Sequence, residues 1–253
     1  MDSLAVAIVV FLASAVIVVL AGISLARFGD ELAEKTGWGA LWVGTILVSI
    51  ATSLPELITN ITAVLIDSPG LALGNVYGAD MINIFTISLV AILFGVRNLF
   101  DDQTWNTQVL VLVAVAIGVI ATTVGATGDI QLGPTSAGGL IIAAAYIGGM
   151  KLVYDAGRSV AEIVNDDDDA PIGSTRNAFL MFGAASIAIV AAAPFLAASA
   201  DGIAASTGLG RGFMGILAVS IVTTLPEASV TVTAARRRSY GLVLGNIYGS
   251  CAF

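Results

Sequence analysis

The sequence predicts an all-α, polytopic membrane protein with inverted-topology repeats and about eight transmembrane helices. Three observations predict it. The chain is 57% hydrophobic and only 11% charged, with a mean hydropathy of +0.97, against about 25% charged residues in a soluble domain. Apolar windows long enough to cross a bilayer recur along its 253 residues. A segment near residue 50 returns, with its motif intact, near residue 220.

The first apolar window, 4–26, follows Asp2 and not a basic stretch, so it reads as a retained helix and not a cleaved leader. Further helices are expected over 39–66, 71–95, 106–126, 134–154, 179–200 and 212–235. An eighth starts near 240 and is still running at Phe253, so truncation within that helix is expected. The domain reading is a first half at 1–154 (helices one to five), an acidic cytoplasmic linker at 155–178, and a second half at 179–253.

Charge sets the expected orientation. With the N-terminus outside, Arg27, Lys35, Arg97, Lys151, Arg158, Arg176, Arg236, Arg237 and Arg238 fall inside and only Arg211 outside. The positive-inside rule favours that arrangement, at the cell (plasma) membrane. The run Asp166, Asp167, Asp168 and Asp169 then sits in the cytoplasm as a solvated linker; it lacks the spaced ligands and glycine of an EF-hand loop. The net charge of −8 leaves no basic face for nucleic acid. One cysteine and no histidine argue against zinc chemistry and a Ser-His-Asp triad. The scarcity of lysine beside the acid excess fits a salt-adapted organism.

Residues 30–82 align with 201–253 at a constant offset of 171, without a gap. Thr52, Leu54, Pro55 and Glu56 match Thr223, Leu225, Pro226 and Glu227; Gly74, Asn75, Tyr77 and Gly78 match Gly245, Asn246, Tyr248 and Gly249. The turn at 67–70 is expected outside and its counterpart at 236–240 inside, so the repeats are inverted. Inverted repeats with interrupted helices point to a secondary transporter whose site lies near the midplane.

Pro55 cannot donate to the carbonyl of Ala51, so a kink or break is expected there, and the same at Pro226. Broken backbone at membrane depth is tolerated only inside protein or beside a cavity. Its carbonyls, the hydroxyls of Thr52, Ser53, Thr223 and Thr224, and the carboxylates of Glu56 and Glu227 are hard oxygen donors. No lysine or arginine lies near the middle of a span, so cations or protons must neutralise the two glutamates. Gly74 and Gly78 are spaced for close helix approach. Asn83 offers an amide oxygen, Asp80 is expected to face elsewhere, and Asn75 and Asn246 are expected mainly to tie down freed backbone.

These segments resemble the α-repeats of the cation/Ca²⁺ exchanger superfamily, specifically its Na⁺/Ca²⁺ exchangers, on Thr52–Glu56 with Gly74–Asn83 and Thr223–Glu227 with Gly245–Phe253. The resemblance implies ten helices, of which about eight are present here, and an ion site where helices two, three, seven and eight cross. It implies Glu56 and Glu227 as shared Ca²⁺ and Na⁺ ligands, with further oxygens from Thr52, Ser53, Asn83, Thr223, Thr224 and Ser250. Ala79 stands where the family often has Ser, and Asp80 and Cys251 where it has Asn.

The function expected is therefore Na⁺/Ca²⁺ antiport by alternating access. H⁺/Ca²⁺ exchange is the alternative, with a channel or a Ca²⁺-binding membrane protein behind it. No enzyme activity, cofactor or protein partner is expected; the partners are membrane lipid and the transported Ca²⁺ and Na⁺. A chain ending before residue 254 is not expected to transport alone.

Overall fold

The structure, a computed structural model, describes residues 3–36, 48–95, 105–133, 135–161, 175–236, 238 and 240–253. Ten helical segments lie among them: α1 (Leu4–Thr36), α2 (Ser49–Thr52), α3 (Leu54–Leu65), α4 (Pro69–Phe94), α5 (Trp105–Thr127), α6 (Ala137–Ala161), α7 (Thr175–Thr207), α8 (Arg211–Met214), α9 (Ser220–Arg236) and α10 (Tyr240–Ala252). A π-helical turn, Gly215–Val219, joins α8 to α9. Six stretches of these helices are long and apolar enough to cross a membrane: Leu4–Leu25, Pro69–Phe94, Thr107–Thr127, Ala137–Asp155, Arg176–Thr207 and Arg211–Arg236. Their outer faces carry rows of exposed Leu, Ile, Val and Phe. In water such faces would be untenable; facing lipid, they satisfy every backbone group within the helix and need no other cover.

The sequence places the helices correctly and understates some ends. The first extends ten residues past position 26, to Thr36, and α7 takes in 175–178 and 201–207. Both run 33 residues, roughly 50 Å at 1.5 Å per residue, which exceeds a bilayer core of about 30 Å. Polar residues within the added turns hid them from an apolar-window reading. The linker of the sequence reading is shorter than 155–178, because α6 continues to Ala161 and α7 begins at Thr175. The Asp166–Asp169 run and residues 37–47 lie outside the described residues.

Three apolar clusters organise the packing. The largest joins α1 and α7 to the helices between them through Val18, Leu25, Ile189, Leu196 and Val219. A second gathers the end of α4 around the α9–α10 turn, with Val90, Ala235, Val243 and Ile247. A third fastens the α5–α6 hairpin, through Leu110, Ile117 and Val153, to Ala252 of α10. The tip of that hairpin is a two-residue strand pair, Gln131↔Ser136 and Leu132↔Thr135, and Asp129 accepts the Gly138 N–H at 2.8 Å as α6 starts.

The two repeat turns lie at opposite ends of α4. The turn before α4 meets the α7–α8 connection: Ser68 donates to Asp201 at 2.7 Å, and Arg211 Nε donates to the same carboxylate oxygen at 2.6 Å. The far end of α4, roughly 39 Å away for 26 residues, packs against the α9–α10 turn through Val90 and Phe94. The inverted relation read from the sequence is thus the relation of these turns in space.

Candidate ion-binding site

The second span breaks at the motif. α2 ends at Thr52, Ser53 leaves the helix at φ −85°, ψ 3°, and α3 restarts at Leu54 with Pro55 in its first turn. Proline is at home there, because a first-turn N–H has no intrahelical acceptor to lose. Glu56 follows in the same turn, at the positive end of α3, where the helix dipole favours a carboxylate.

The second repeat is not broken at its proline. Pro226 sits inside α9, which continues from Ser220 to Arg236 without a break. The irregularity lies earlier, in the π turn Gly215–Val219. That turn is where backbone crosses backbone. A Cβ added to Gly215 would run into the carbonyl of Leu71 and come within 2.8 Å of Asn75 N, and one on Gly74 would strike the carbonyl of Gly212. Gly78 is equally close to Ser220 and Ile216. The expectation of close helix approach at Gly74 and Gly78 is met, by α8, the π turn and the start of α9.

At this crossing the hydrogen bonds obey the 171 offset. Ser53 donates to Glu227 Oε1 at 3.1 Å, and its counterpart Thr224 donates to Glu56 Oε1 at 3.2 Å. Each glutamate is thus held by the motif of the other repeat. Thr223 donates to Asn75 Oδ1 at 3.1 Å, and Thr52 lies 3.5 Å from Asn246 Oδ1. The asparagines are held in turn from one helix over: Asn75 Nδ2 donates to Asn60 Oδ1 at 2.8 Å, and Asn246 Nδ2 to Thr231 Oγ1 at 3.0 Å. Asn60 and Thr231 are also 171 apart. They were missed because the two residue types differ; their signal was position, one turn beyond each glutamate.

Asn246 Nδ2 also reaches the Glu227 backbone carbonyl at 3.1 Å, the backbone tie expected of it. Asn75 bonds side chains alone among its described partners. The repeats differ at Ser250 as well. Its hydroxyl lies 2.7 Å from Ser53 Oγ and 3.4 Å from Glu227 Oε1; Ala79 offers nothing equivalent beside Glu56.

Both glutamates are withdrawn from solvent, Glu56 at 9% and Glu227 at 0% exposure. Each keeps one oxygen, Oε2, buried and without a hydrogen-bond partner, and Asn83 Oδ1 and Thr59 Oγ1 share that condition. Buried acceptors are ordinarily satisfied, so a cluster of orphaned oxygens calls for a missing partner. Three of the four (two carboxylate and one amide oxygen) belong to expected ligands and are hard donors suited to Ca²⁺ or Na⁺. Among the described residues no three His, Cys, Asp or Glu side chains gather as a metal site. Of the other expected residues, Ser53, Thr224 and Ser250 touch the carboxylates. Thr52 and Thr223 turn their hydroxyls toward the asparagines. Thr59 was not singled out from the sequence, and its counterpart Val230 has no hydroxyl to orphan. Asp80 is half-buried on α4, whereas Asn83, three residues on, is fully buried.

The model of the sodium/calcium exchanger protein family matches residues 6–154 and 177–253. The chain belongs to that family. Exchanger helices therefore cover both repeats and leave out mainly the acidic linker. An uncharacterized membrane protein of Methanocaldococcus jannaschii is 29% identical over 210 residues, covering 82% of this chain but 65% of that protein's own length. Among solved structures, the sodium/calcium exchanger from Methanococcus jannaschii matches 99% of this chain and 78% of its own, with a TM-score of 0.62 at 21% identity. The H⁺/Ca²⁺ exchanger CAX matches 97% of this chain and 64% of its own, with a TM-score of 0.72 at 14% identity. At those identities the two likenesses establish the exchanger fold and no more.

Proposed function

We propose that the protein is a secondary antiporter that exchanges Na⁺ for Ca²⁺ across the plasma membrane, with its N-terminus outside, by alternating access at the Glu56–Glu227 site. The observation that carries the reading is the pair of repeat-equivalent glutamates, each buried with an unpartnered oxygen, far from any basic side chain of their own helices. Family membership and the fold likeness to a sodium/calcium exchanger support it.

Two carboxylates balance one Ca²⁺. Asn83, Ser53, Thr224 and Ser250 add oxygens, with Thr52 and Thr223 behind them, toward the six to eight that Ca²⁺ takes. Without a cation the two carboxylates repel across the crossing, and burial makes the empty, charged site costly. Na⁺ ions replacing Ca²⁺ relieve that cost, which makes exchange obligatory. Protons could relieve it too, and the likeness to an H⁺/Ca²⁺ exchanger favours keeping that second reading.

Calcium uptake into proteoliposomes holding the complete protein, Na⁺-loaded and diluted into Na⁺-free buffer, tests the reading. Uptake that needs internal Na⁺ and is lost in Glu56→Gln and Glu227→Gln is the expected result. Uptake driven by a pH gradient and indifferent to Na⁺ would replace the counter-ion. Uptake under neither gradient would overturn antiport.

A further inference from the structure

At the end of the molecule where α3 and α7 finish, one carboxylate ties three elements together. Ser68 donates to Asp201 Oδ1 at 2.7 Å, and Arg211 Nε donates to the same oxygen at 2.6 Å. Ser68 holds the N-cap position of α4, where a serine oxygen ordinarily accepts a first-turn N–H. Here it makes no cap bond; the residue is fully buried and its hydroxyl is turned across to α7 instead. The bond thus joins the first repeat to the second and leaves α4 without its local cap. Behind it the route from Glu56 to this end is dry. Glu56, Thr59 and Ala63 follow one another along the buried face of α3, which packs on α7. Ala63 shares one apolar cluster with Ala197, Ala200 and Ala204 near the matching end of α7. Each alanine methyl buries little area, so parting α3 from α7 there costs less than parting leucines. The 171 offset pairs Asp201 with Asp30 and Ser68 with Ser239, but Arg211 with Ala40. The arginine is an addition of the second repeat.

We propose that Ser68, Asp201 and Arg211 form a latch that holds this end of the ion path shut, with Asp201 as its pivot. The inference rests on the alternating-access reading. To open this end, the start of α4 must part from the end of α7, and Asp201 is the group that bridges them. Arg211 pairs with the oxygen that Ser68 uses, so the ion pair aims the carboxylate at the serine. The three are positioning residues: they act on the glutamate centre only through which end of the path is open. Because the arginine has no counterpart in the first repeat, the two ends are held unequally, and the latch biases the resting protein toward closure at this one.

The test is cysteine accessibility in the complete, detergent-solubilised protein. It is read without flux, so its failure and that of the antiport reading are separate results. In a Cys251→Ser background, Thr59→Cys reports the path from Glu56 toward the latch. Val230→Cys, the repeat counterpart one turn beyond Glu227, reports the path toward the other end. Both positions are buried, at 0% and 8% exposure, so a small charged thiol reagent reacts there only on opening. Asp201→Asn and Arg211→Gln are each expected to speed Thr59→Cys modification about two- to fivefold, the shift that a partly exposed ion pair supports, without speeding Val230→Cys. A Thr59→Cys rate that neither substitution raises would overturn the latch. Equal acceleration at both cysteines would overturn it too, since the contact would then serve general stability and not closure at one end. Ala63→Cys, one turn nearer the latch and equally buried, gives the same reading where Thr59→Cys does not fold.

Discussion

Ser53 and Ser250 show how single hydroxyls set this centre. They lie 2.7 Å apart and both reach Glu227 Oε1, so they form one network and not two independent contacts. Groups that share a partner couple by roughly 0.5–3 kcal/mol. A double-substitution cycle of Ser53→Ala and Ser250→Ala is expected to be non-additive by an amount in that range, read as Ca²⁺ affinity by calorimetry. Additivity would mean that the two hydroxyls serve the carboxylate separately. Thr224 holds Glu56 and shares no hydrogen-bond partner with Ser250, so pairing Thr224→Val with Ser250→Ala should couple less than the two serines do.

At the scale of elements, the crossing of α4 with α8 and the π turn depends on missing Cβ atoms. Gly74 meets the backbone of Gly212, which cannot swing aside as a side chain can. Gly74→Ala must therefore push two helices apart, at about 1–3 kcal/mol for an overpacked contact. Gly118 on α5 and Gly183 on α7 have nothing within 4 Å of the added atom, and alanine favours a helix over glycine by up to about 1 kcal/mol. Thermal unfolding in detergent should show a lower midpoint for Gly74→Ala and an unchanged or higher one for Gly118→Ala. Gly22 of α1 lies against the Pro226 ring, which a Cβ would also strike. The first helix thus rests on the motif of the second repeat, where its movement would be felt at Glu227.

For the whole molecule, inversion fixes which ends share a side. The 208–210 connection and the 66–68 turn lie together at one end of α4, and the α9–α10 turn at the other. With the N-terminus outside, Leu209→Cys in a Cys251→Ser background should react with an impermeant maleimide on intact cells. Arg238→Cys should react only after permeabilisation. The reverse labelling would invert the proposed orientation and leave the inverted relation of the repeats untouched.

Much of this was legible in one dimension. Helix positions follow from apolar windows, because lipid leaves the backbone no alternative to internal hydrogen bonding. The inverted repeat and its two glutamates follow from the 171 offset, because duplicated segments keep their chemistry at fixed positions. The sequence could not say that each glutamate is held by the opposite repeat, since that bond runs between residues some 170 apart and exists only once the helices cross. Nor could it tell that Pro55 starts a helix while Pro226 lies within one. A proline's effect depends on whether neighbouring backbone approaches and re-satisfies the freed groups, and in the second repeat the irregular turn at Gly215 is a place where the backbone of α4 comes close.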